Sequence, residues 1–315
     1  MFALRGLAIS LSVFVTVYCA LSLIVSLTWR KVYFRFRHQQ VRYLADAVFA
    51  LRMLPLAAAF FVTIVLAVPS FLWLEPRTIE EPIGGLSLSL GLAGLAILAL
   101  GAANALQSLF RASQSLSVWT TGAELIDTVA PFPVLRTAGA APPMTAIGII
   151  RPRILFSRAA EFLLNANEFQ SALNHEIAHV RRRDNLKKLL LRFVLFPGMR
   201  EVEVAWLEAT EMAADDAAVS NIGEALDLAA ALIKLCRLGT MGSSAELIMS
   251  LVHSPVSLVN ERVERLIHWS AQRPCAQKNL RPYAFGLGLA LLTTVGFTYT
   301  QLLMGVHVAT EWLVR

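Results

Sequence analysis

Cysteine is nearly absent from these 315 residues, and charge is scarce. There are 3 cysteines, Cys19, Cys236 and Cys275, without a CxxC pair or any evident metal spacing. That excludes a disulfide framework and a zinc knuckle, and reduced thiols are expected. Only 16% of residues are charged, while 56% are hydrophobic and the mean hydropathy is +0.59. So apolar a balance excludes an ordinary soluble domain and places part of the chain in lipid. No internal repeat or low-complexity tract is present. Acidic residues are the scarcer sign, 22 against 28 basic, for a net charge of +6. This excess does not indicate nucleic acid, because no nucleic-acid-binding motif accompanies it. It follows the topology instead.

Four apolar runs are long enough to cross a bilayer, which takes about 20 residues. Gly6 to Trp29 is the first, too long for the hydrophobic part of a signal peptide and read as a retained span. Met53 to Leu74 is the second and carries Pro55 and Pro69, tolerated where neighbours satisfy the freed carbonyls. Gly84 to Leu106 is the third, with Gly91, Gly94 and Gly101 allowing close approach of another helix. Tyr283 to Val306 is the fourth. The predicted organisation is an N-terminal membrane region, 1–106, a cytoplasmic domain, 107–281, and a last span with a short external tail, 282–315.

Orientation follows from charge. Arg30, Lys31, Arg35, Arg37, Arg42 and Arg52 crowd the connection between the first two spans against a lone Asp46, which makes it cytoplasmic by the positive-inside rule. The N-terminus and C-terminus are then outside and residues 107–281 inside. Arg181 to Lys188 adds a basic run that can touch anionic headgroups or simply be solvated.

The chemistry lies in His175-Glu176-Ile177-Ala178-His179. Residues at i and i+4 of a helix sit about 5–6 Å apart at Cβ, so the two imidazoles can share one Zn²⁺ and Glu176 stands beside it. The segment 168–180 supplies the helix, with Phe169, Leu173, Ile177 and Val180 on an apolar face. In such sites the glutamate takes a proton from metal-bound water and passes it to the leaving amine, which is peptide hydrolysis. A third ligand is needed with one position left open. Segment 204–219 is rich in helix formers and offers Glu211, with Asp215 one turn on to accept a ring N–H and orient a ligand. From 107 to 156 the chain is punctuated by Pro, Gly and Thr, with β-prone pieces at 129–135 and 147–156. These suggest a small antiparallel sheet whose exposed edge could hold an extended peptide across the metal. Leu186 to Phe196 reads as an interfacial or buried helix and Leu226 to Leu238 as an amphipathic helix packed on the catalytic ones.

His175-Glu-Ile-Ala-His-Val-Arg-Arg-Arg-Asp184, followed by Glu211-x-x-Ala-Asp215, resembles the membrane gluzincins, most closely the BlaR/MecR-type sensor proteases. Pro131-Phe132 and Ala146-Ile-Gly-Ile-Ile-Arg-Pro-Arg-Ile-Leu-Phe156 are similar to that family's strand pair, and the resemblance runs from about Pro131 to Leu266. It implies a mainly α membrane protein with a cytosolic α+β gluzincin domain in a bacterial inner membrane, one Zn²⁺ per chain, and cleavage of itself and of a winged-helix transcriptional repressor. His253-Ser-Pro255 and Asn260 to Leu266 are similar to a segment in which His253 or Arg262 would stabilise an oxyanion. About nine residues follow the fourth span, so the large external β-lactam-binding domain of such sensors is not expected. An HtpX-like quality-control protease and a non-hydrolytic membrane scaffold are the alternatives, and membrane lipids and a second copy of the chain are further candidate partners.

Overall fold

The computed structural model describes residues 2–36, 41–76, 84–126, 130–137, 141–238, 249–250, 256–269 and 281–314. Helix dominates. Helix α1 is Phe2–Phe36; α2 is Val41–Phe61 and runs through a π-helical segment, Val62–Ala67, into α3, Val68–Leu74; α4 is Gly85–Thr120. Three stretches among the described residues, Phe2–Arg35, Val41–Leu74 and Gly85–Thr120, are long and apolar enough to cross a membrane. Pro55 lies inside α2 and Pro69 in the first turn of α3. The wider π turn sits between them, as expected where prolines remove ladder donors.

Helix α4 packs on α1 at its glycines. A side chain at Gly91 would meet the Ala8 carbonyl at 3.0 Å, and one at Gly94 the Leu11 carbonyl at 2.8 Å. The close approach of the backbones is therefore set by the absence of Cβ atoms. Helix α4 also extends past the expected span end at Leu106, because Gln107 to Thr120 contains neither Pro nor Gly. The extra turns carry Leu116 and Trp119 under the sheet, where Trp119 packs with Leu135, Ile147 and Leu155.

The sheet has the order β1-β2-β4-β3-β5, with β1 at Glu124–Ile126, β2 at Val134–Thr137, β3 at Met144–Ile147, β4 at Arg153–Ser157 and β5 at Met249–Ser250. It is mixed rather than antiparallel, because β2 runs parallel to β4. Gly148, at φ +83°, starts the turn that closes β3 and β4 into a hairpin, and β2 joins on the β4 side. Strand β5 takes the other side of β3, opposite Thr145 and Ala146. The described sheet thus has β1 and β5 as its edge strands. Side chains alternate between faces: Val134, Met144, Ile154 and Phe156 enter the main core, while Leu135 and Leu155 face α4.

Seven further helices complete the described fold: α5 (Arg158–Leu163), α6 (Ala166–Arg182), α7 (Asp184–Phe193), α8 (Arg200–Ala218), α9 (Ile222–Leu238), α10 (Val256–Ile267) and α11 (Arg281–Val314). A capping box starts α6, Asn165 accepting from the Glu168 N–H and Glu168 from the Asn165 N–H. Helix α9 buries Leu228, Leu232 and Leu235 in the main core. Helix α7 covers most of the segment 186–196 expected as an interfacial or buried helix, and it ends at Phe193 before Pro197 can break it. Helix α8 lies across α2, where Val202, Trp206 and Ala209 pack on Leu44, Ala45 and Val48. Ser70 donates to the Leu303 carbonyl at 3.0 Å and Tyr299 to that of Val65 at 2.8 Å, which fasten α11 to the second apolar helix.

Candidate metal centre

Helix α6 turns His175 and His179 to one side, and α8 brings Glu211 against them. The two Nε2 atoms are 3.0 Å apart, and Glu211 lies 3.6 Å from His175 Nε2 and 3.7 Å from His179 Nε2 through its two oxygens. All three side chains are buried.

The other ring nitrogens fix what the Nε2 atoms can do. His175 Nδ1 is 2.9 Å from Asp215 Oδ1, and His179 Nδ1 is 2.8 Å from Asp184 Oδ2. A carboxylate beside Nδ1 holds the proton there and leaves the Nε2 lone pair bare. Two bare lone pairs 3.0 Å apart, with a carboxylate oxygen near each, repel unless a cation lies among them. In the metal-free protein a proton must serve. Burial disfavours charge on His175, yet the Asp215 and Glu211 carboxylates, accepting from the protonated ring, override it and push its pKa up to about 9. The His175, His179 and Glu211 donor set could hold a metal ion, and it fits one better than it fits a proton that can face only one of the acceptors.

Arg262 of α10 balances the acids. It is fully buried and donates from Nε and Nη2 to Asp215 at 2.7 Å each and from Nη1 to Glu211 at 2.9 Å. Burial alone would raise the Glu211 carboxyl, but Arg262 and the imidazoles hold it down at about 2, and Asp215 is depressed in the same way. Three of the five guanidinium N–H donors of Arg262 are thus engaged by these two carboxylates.

Glu176 is buried, and its Oε2 accepts the Ala146 N–H of β3 at 2.6 Å, while its Oε1 has no protein partner. Burial pushes its carboxyl up, with the two imidazoles opposing. Asn185 donates to the carbonyls of Ala146 and Gly148 at 3.1 Å each, so α7 holds the same strand that holds Glu176.

Of the residues singled out in the sequence, His175, His179, Glu211, Glu176 and Asp215 are thus brought together. His253 lies outside the described residues. Asp184 was missed as the carboxylate on His179. Its only signal in the sequence was an acidic residue inside the basic run after the second histidine.

Fold and site together define a mainly helical protein with, among the described residues, three helices apolar enough to span a membrane and a buried His-His-Glu group that could hold a metal ion. Comparison with protein-family models gives no match, and a search of curated proteins gives none either.

Proposed function

We propose that the chain is an integral-membrane zinc endopeptidase of the gluzincin kind, akin to the BlaR/MecR-type sensor proteases, with α11 as a fourth span. The observation that carries this reading is the convergence of both Nε2 atoms and Glu211 beside an unpartnered Glu176 oxygen. Their separations of 3.0, 3.6 and 3.7 Å bracket the edge of about 3.4 Å in a tetrahedron with bonds near 2.0–2.1 Å, which suits zinc.

His175, His179 and Glu211 would hold the ion, with Asp215 and Asp184 fixing both rings. Bound there, zinc supplies an acidified water and polarises a carbonyl. Glu176, with a raised pKa and one free oxygen, takes the water proton and returns it to the leaving amine. Its second oxygen is anchored to Ala146, which keeps the carboxylate in place through both transfers. An extended substrate would pair along β3 and displace β5 from Thr145 and Ala146.

On this reading the domain faces the cytoplasm of a bacterial inner membrane, and both termini face outward. Helix α8, which carries Glu211, packs on α2, so a movement of that helix would reach the metal site, and the targets implied by the resemblance are the chain itself and a winged-helix repressor. Membranes holding native or Glu176→Gln protein are compared by mass spectrometry of newly formed peptide termini. A self-cut and a cut repressor are expected only with native protein. Identical termini in both would sink the enzyme reading, and many cut membrane proteins would favour the quality-control protease.

A further inference from the structure

A cavity of about 870 Å³ opens on the side of α6 away from the histidines. At 100° per residue, Ile177 and Arg181 point roughly opposite to the His175 and His179 face, and both line this cavity rather than the metal centre. The floor is apolar, made by side chains of α6 and α8 such as Ile177 and Ala213. The rim is basic: Arg42 from the first turn of α2, Arg181 and Arg182 from the end of α6, and Lys187 of α7, against the single acid Asp46.

Two of the four cations are answered. Asp46 lies 3.1 Å from Lys187 Nζ and 3.4 Å from Arg182 Nη2, and Asp184 is 3.6 Å from Arg182 Nε. Arg42 and Arg181 are exposed and have no acidic partner among the described residues. Both line the same opening, and Arg42 stands on the helix that begins at Val41, close in sequence to the end of the first apolar helix at Arg35. In the membrane reading that is the cytoplasmic connection between the first two spans.

We infer that this cavity is a binding site for the phosphate of an anionic phospholipid, seated between Arg42 and Arg181 with its glycerol and upper acyl carbons over the apolar floor. A free phosphate shares the charge but would leave the floor wet, and the opening beside the apolar helices favours the lipid. An occupant would tie the start of α2 to the back of the metal-bearing helix. The inference rests on the membrane reading and is independent of peptide hydrolysis.

The test uses the full chain in nanodiscs of phosphatidylcholine with increasing phosphatidylglycerol, followed by delipidation and native mass spectrometry of retained lipid. Native protein should retain phosphatidylglycerol selectively. Arg42→Gln/Arg181→Gln should weaken that retention roughly thirty-fold, the effect of two cations at a membrane surface. Arg153→Gln/Arg237→Gln, which removes the same charge elsewhere, should leave it intact. Equal retention in native and Arg42/Arg181 protein overturns the proposal, as does equal loss in both double variants. In detergent without lipid, thermal stabilisation by inorganic phosphate matching that by phosphatidylglycerol would assign the site to free phosphate and overturn the lipid. Displacement of the lipid by a poly-glutamate peptide at lower concentration would overturn it in favour of a peptide site. Extraction of the chain by alkaline carbonate would fell the membrane reading itself, whereas a membrane-retained chain without selective binding fells only this inference.

Discussion

His179 Nδ1 meets Asp184 Oδ2 at 2.8 Å across a helix break made by a single residue, Arg183, which adopts φ 56° and ψ 39°. That left-handed residue ends α6 and starts α7, and the break brings Asp184 against the ring it supports. Asp184→Asn and Asp215→Asn should each keep the fold and lower metal affinity about 10- to 100-fold. Competition with a chelating dye measures this, and unchanged affinity in both would show that the carboxylates do not orient the imidazoles.

Arg262 is a buried, permanently charged guanidinium hydrogen-bonded to both Asp215 and Glu211. Arg262→Met leaves two buried carboxylates with only the His175 proton against them, so a loss of about 3–5 kcal/mol is expected in denaturant unfolding of chelator-treated protein. Bound metal should restore part of it, since a divalent cation replaces the missing charge. A loss below about 1 kcal/mol would mean that water reaches the cluster.

The pH dependence of the metal-free protein follows from two opposite shifts. Glu211 titrates at about 2 in the fold against 4.5 ordinarily, so its stabilisation is present above pH 4.5 and is lost as pH falls toward 2. His175 titrates at about 9 against 6.5, so its stabilisation is present below pH 6.5 and is lost as pH rises through 9. Both are complete only between pH 4.5 and 6.5, where chelator-treated protein should be most resistant to denaturant. Metal affinity should instead rise from pH 6.5 toward 9, because the ion takes the place of the His175 proton. Calorimetric titration with zinc at several pH values reads both the affinity and the released proton.

Gly94→Val places a branched side chain against the Leu11 carbonyl, where even a Cβ would stand at 2.8 Å. Separation of α1 from α4 should cost roughly 1–3 kcal/mol, seen as a lower unfolding midpoint in detergent. Gly85→Ala, with open space around it, serves as the silent control.

Much of the site was legible because its logic is local. The spacing of His175 and His179 needs only a helix, and Glu176 follows from the same turn. Glu211 and Asp215 share a face one turn apart on α8, so one contact with α6 delivers both. Asp184 was not legible, since its role depends on the left-handed turn at Arg183, and Arg262 was legible only as a charge that could serve several ends. The sheet shows the same division. Its β-prone pieces could be read, but β2 joins the hairpin beside β4 and β5 covers β3, pairings that no periodicity records.

Sequence by itself determined the long apolar helices, the metal-ligand spacing and the helix that carries it, because each depends on residues within a few turns of one another. Tertiary structure decided the rest. It set α8 across α2 and the extended end of α4 under the sheet, gave each imidazole its carboxylate, and locked Arg262 between two acids. The physical reason is that a buried charge is tolerable only beside its partner, and Arg262 finds Glu211 51 residues away in the chain.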